Sequence, residues 1–123
     1  MPTDPQPVTL AQAVHRAVVA VDPEGHAGLD DLMERFEDDD EPLDSTGAEI
    51  AAQRIAEEAG ALDPQGEDPA VQLAAAVATY LAFRRDEIDE APGELLTLAA
   101  RAEFDGHPPA DVRALLADRG VEL

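Results

Sequence analysis

The sequence predicts an all-α fold, a compact bundle of five or six helices around a central alanine-rich helix at about 69–89. Three observations predict it. First, Ala70 to Ile88 (AVQLAAAVATYLAFRRDEI) is apolar nearly all the way round a helix. Val71, Ala74, Ala75, Ala78, Leu81 and Ala82 form one stripe at i, i+3, i+4 spacing, and Leu73, Val77 and Tyr80 form a second. A helix without a polar face needs neighbours on several sides. Second, shorter segments on either side carry apolar residues at the same period, punctuated by Asp, Thr, Pro and Gly. Third, no stretch alternates like a strand over more than a few residues.

Residues 1–7, with Pro at 2, 5 and 7, cannot hold a helix and are expected to form a flexible tail; residues 8–123 are expected to form a single helical domain. The first helix should run from Thr9, its N-cap, to Val21, with Leu10, Val14, Ala17, Val18 and Val21 on one face. Asp22-Pro23-Glu24-Gly25 breaks it. A short second helix from about Gly28 to Glu37 carries Leu29, Leu32, Met33 and Phe36 inward, and the acidic run Glu37 to Glu41 with Pro42 ends it. Asp44 or Ser45 can cap a third helix, with Glu49 suited to a capping box. That helix should reach Ala59 and stop at Gly60, with an apolar face of Ala48, Ala51, Ile55, Ala59 and Leu62.

After the loop Asp63 to Glu67, Asp68 caps the central helix and Pro69 takes its first position. Pro92 starts a fifth helix carrying Leu95, Leu96, Leu98, Ala99, Ala102 and Phe104, ended by Gly106. The last begins near Pro109, carries Val112, Leu115 and Leu116, and stops at Gly120. Ala11 to Gly25 also aligns without gaps on Ala52 to Gly66. Both begin Ala-Gln and end Asp-Pro-x-Gly, and Val14 and Val21 match Ile55 and Leu62. Two tandem helical hairpins plus a C-terminal hairpin is the arrangement this suggests.

The totals bound the chemistry. The chain has 123 residues, enough for one modest core, and 45% are hydrophobic, a globular composition. Aromatics are only 3%, so the core must be built from Leu, Val, Ile and Ala. Asp and Glu number 28 against 8 cations, all Arg, for a net charge of −20. That charge repels phosphate backbones and anionic lipid. A high-salt cytoplasm or a high-GC genome, which favours Ala, Arg, Asp, Gly and Pro codons, would each account for it. With no Cys there is no disulfide, thiolate metal site or Cys nucleophile. No basic-plus-apolar leader is present, and no apolar run reaches the ~18–20 residues of a membrane span. The expected location is cytoplasmic.

The catalytic inventory is thin: Ser45, Tyr80, and His15, His26 and His107. Ser45 sits where an N-cap is wanted. No Glu-x-x-His pair of the helical di-metal kind exists, and Glu103 and His107 are separated by Gly106. An EF-hand loop counted from Asp22 would need Gly and Glu where Ala27 and Met33 stand. Arg84 and Arg85 suit a helix C-terminus, with Glu87 and Asp89 as local partners. No catalytic, cofactor-binding or metal-ligating residue, and no cofactor, is assigned on these grounds.

Leu98 to Leu123 has a helix-turn-helix rhythm and resembles the recognition segment of small bacterial regulators. It departs in a longer turn, in Pro108-Pro109, and in a second helix whose Asp111 and Asp118 offset Arg113 and Arg119. DNA affinity comes largely from phosphate neutralisation, so nucleic acid is not the expected partner. The expected function is non-catalytic: a small acidic helical protein acting in protein–protein interaction or assembly, with another protein or a second copy as partner. The alternative is a helix-turn-helix type transcriptional regulator using the hairpin 98–120.

Overall fold

A computed structural model describes residues 9–25, 28–37, 47–83, 92–105 and 107–121. Among them it is all-helical, with six helices: α1 (Leu10–Val21), α2 (Asp30–Arg35), α3 (Ala48–Leu62), α4 (Pro69–Phe83), α5 (Pro92–Phe104) and α6 (Ala110–Asp118). The tail 1–7, the acidic run 38–41 with the candidate caps Asp44 and Ser45, His26, the Arg84-Arg85 pair with Glu87 and Asp89, and Gly106 lie outside the described residues.

The central position of α4 follows from its sequence. Ten of its fifteen residues are buried, and α1, α3, α5 and α6 all pack against it. Leu73 and Leu81 are completely covered. Burying one such side chain stabilises the fold by roughly 1.5–3 kcal/mol. The many alanines bury little each but let the four neighbouring helices approach closely. Start and cap are as the sequence predicts. Pro69 is the first helical residue, and the Asp68 carboxylate accepts from the Ala70 and Val71 amides at 3.0 and 3.4 Å. One carboxylate thus satisfies two amides that have no partner within the helix.

α1 begins with a full capping box. The Thr9 hydroxyl accepts from the Gln12 amide, and the Gln12 side chain accepts from the Thr9 amide, both at 3.1 Å. Its predicted face, Leu10, Val14, Ala17, Val18 and Val21, is buried. The short α2 carries Leu29, Leu32 and Phe36 inward as expected, with Met33 half-buried, and spans fewer residues than its predicted 28–37. It is pinned to α3 by an Arg35–Glu58 ion pair of 2.7 Å and by the Arg54 guanidinium over the Phe36 ring.

α3 departs from its predicted limits at both ends. Its N-cap position is Gly47, at φ 89°, rather than Asp44 or Ser45, and Gly47 has no side chain with which to cap it. Glu49 therefore falls in the first turn instead of closing a capping box. At the far end the helix runs through Gly60 to Leu62. Glycine in a helix costs only ~1 kcal/mol relative to alanine, and Leu62 packs against the core. What stops α3 is Pro64, which disfavours helical backbone at Asp63.

The two Asp-Pro-x-Gly turns predicted to match do match in conformation. Asp22 has φ −136°, ψ 66°, and Asp63 has φ −134°, ψ 70°. Each aspartate carbonyl accepts from the glycine three residues on, at 3.2 Å for Gly25 and 3.1 Å for Gly66. Asp at the first position, Pro at the second and Gly at the fourth is the sequence preference of a type I turn. Helix contacts repeat too: α1 packs on α2 as α3 packs on α4, and α1 meets α4 as α3 meets α2.

α5 buries Leu95, Leu96 and Ala99 as expected, but Ala100 in place of Ala102, which is exposed. It ends at Phe104, where Asp105 takes a left-handed φ of 52°. α6 ends in a Schellman motif. The Val121 amide donates to Leu116 O at 2.8 Å and the Gly120 amide to Ala117 O at 3.0 Å, with Gly120 at φ 80°. Val121 and Leu116 are both buried there. Buried side chains from all six helices join one hydrophobic cluster. No helix among the described residues is long and apolar enough to cross a membrane.

Candidate functional site

Among the described residues α4 is covered except along one line. Along that line Gln72, Ala75 and Thr79 are half-buried, and Phe83 at its end is 53% exposed. Their spacing of three to four residues keeps them on one face of the helix. Two hollows lie over this line. One, of about 240 Å³, is bounded by Ala59, Gly60 and Asp63 of the α3 end, by Val71, Gln72 and Ala75 of α4, and by Phe104 of α5. The other, of about 300 Å³, lies between Ala76, Thr79, Tyr80 and Phe83 of α4 and Ala99 and Ala102 of α5. Glu103 borders both. The two hollows lie along α4 on either side of Glu103, and the pair is called the α4 groove below. At 1.5 Å per residue the stretch from Gln72 to Phe83 is about 16 Å, or three helical turns.

The groove exists because its floor is small. Ala75, Ala76 and Thr79 leave a gap where larger side chains would have closed α3 and α5 over α4. Its polar groups are held in place. The Gln72 side-chain amide donates to the Gly66 carbonyl. The Asp63 carboxylate accepts from the Glu67 and Asp68 amides at 3.0 and 2.9 Å. Two charged side chains, Asp63 and Glu103, border the groove among the described residues, and both are acidic.

A wider hollow of about 730 Å³ lies between α5 and the end of α6, bordered by Glu94, Thr97, Leu98, Arg101 and Val121. The Thr97 hydroxyl there donates to Gly93 O at 2.9 Å.

The sequence singled out other groups, and the fold disperses them. His15 is exposed on α1, and His107 is exposed in the segment before α6, its amide donating to Phe104 O at 2.8 Å. Glu103 and His107 do not share a helix, because α5 ends between them. Asp22, first residue of the failed Ca²⁺-loop match, is buried at the α1 C-cap. Among the described residues no three His, Asp or Glu side chains are grouped to hold a metal ion. In the segment 98–120, α5 packs on α4 and α1, and α6 packs on α4. Arg119 is turned inward, its Nε–H donating to the Val21 carbonyl.

Of the residues that border the groove, the sequence singles out only Tyr80 and Glu103, each for other chemistry. The only signal of the groove itself is weak: a line of small or polar residues at 72, 75, 76 and 79, closed by an aromatic at 83. Compared with family models, curated proteins and solved structures, the chain has no match.

Proposed function

We propose that this chain is a non-catalytic helical protein that works by binding another protein, in the cytoplasm. The supporting observation is the groove along α4. It exposes part of an otherwise buried helix over three turns and ends in an exposed phenylalanine. A line of small side chains ending in an exposed ring suits recognition of a partner helix. The charge supports a partner other than a second copy, since pairing two chains of net −20 opposes association at low salt. The regulator alternative loses weight with Arg119 committed to Val21, because phosphate binding requires cations that face outward.

The absence of lysine from the chain makes a direct test available. Zero-length carbodiimide coupling joins a carboxylate to an amine. With this chain as carboxylate donor, side-chain crosslinks must run to a lysine of another protein. We expect affinity-captured partners, re-purified and mixed with the chain, to form discrete one-to-one crosslinked species at 0.15 M salt. Sedimentation velocity from low to moderate KCl checks the second-copy outcome. A concentration-dependent dimer with no heterologous crosslink would replace the partner reading by self-assembly. A strict monomer that couples to nothing would remove the interaction function.

A further inference from the structure

We draw no further inference here: the strongest candidate, the hollow of about 730 Å³ between α5 and the end of α6 bordered by Thr97, Leu98, Arg101 and Val121, carries nothing, because no buried polar side chain of the described residues borders it and nothing in the structure shows what covers it.

Discussion

The Arg119 side chain donates to the carbonyl oxygen of Val21, 98 positions earlier in the chain. Val21 is the last residue of α1, and Arg119 is the C-cap of α6. One charged donor thus joins the carboxyl ends of the first and last described helices. Carbonyls at a helix end lack partners within the helix, and the partial negative charge there favours a cation. Arg119→Ala should therefore lower stability by about 1–2 kcal/mol, the range for a hydrogen bond to a charged group. Arg113→Ala, exposed on the same helix, should change it by less than about 0.5 kcal/mol. Urea midpoints of the two variants provide the comparison. Equal midpoints would show that the link contributes nothing to stability.

The matched turns give a paired prediction. Gly25 sits at φ 74° and Gly66 at φ 66°, and a Cβ at either would meet no atom within 4 Å. The cost of alanine is thus backbone strain alone, at the same point of the same turn. Gly25→Ala and Gly66→Ala should each destabilise by roughly 1 kcal/mol, within a few tenths of one another. Thermal melts of both, read against Gly60→Ala, check this. Gly60 is inside α3, and replacing it should stabilise, by up to about 1 kcal/mol.

These turns also show where sequence reasoning carries and where it stops. Signals confined to a few neighbouring residues were legible: Thr9 with Gln12, Asp68 with Pro69, and the two Asp-Pro-x-Gly breaks. The limits of α3 were not, because two local rules competed. A glycine at 60 and a proline at 64 both announce an end, and the weaker penalty at Gly60 yields to the packing of Leu62. At the other end the sequence offered Asp44 or Ser45 as the cap, whereas the N-cap position falls on Gly47, which takes a positive φ without strain. The groove was hidden for a different reason. A helix that is apolar all round predicts cover all round, and its own sequence cannot say which line its neighbours leave open. Thr79 and Ala75 became groove residues only when α3 and α5 were placed beside them.

The central place of α4 sets a third expectation. Leu81 is fully buried, whereas Ile50 on α3 is 56% exposed. Leu81→Ala should cost about 2–5 kcal/mol through lost burial and the cavity left behind. Ile50→Ala should fall within about 0.5 kcal/mol of wild type. For a domain of ordinary stability the first change consumes much of the margin. Urea unfolding of both variants at fixed salt measures the contrast. A cost below 1 kcal/mol at Leu81 would mean that α4 is not the packing centre.

Salt separates the two accounts of the acidity. Spread evenly over 7206 Å² of surface, 28 carboxylates would stand about 16 Å apart, while the Debye length is already about 10 Å at 0.1 M. Repulsion among charges so spaced is mostly screened within a few tenths molar. Simple screening of a composition-driven surface therefore predicts a Tm that climbs from low salt and levels off by about 0.3 M KCl. Adaptation to a high-salt cytoplasm predicts a rise that continues past 1 M, where the Debye length is about 3 Å and screening has nothing left to remove. We expect the first curve, because the core is built from leucine, valine and alanine side chains drawn from all six helices. Its stability should not depend on bound salt once the carboxylates are screened. A Tm still rising between 1 and 3 M KCl would assign the acidity to salt adaptation instead.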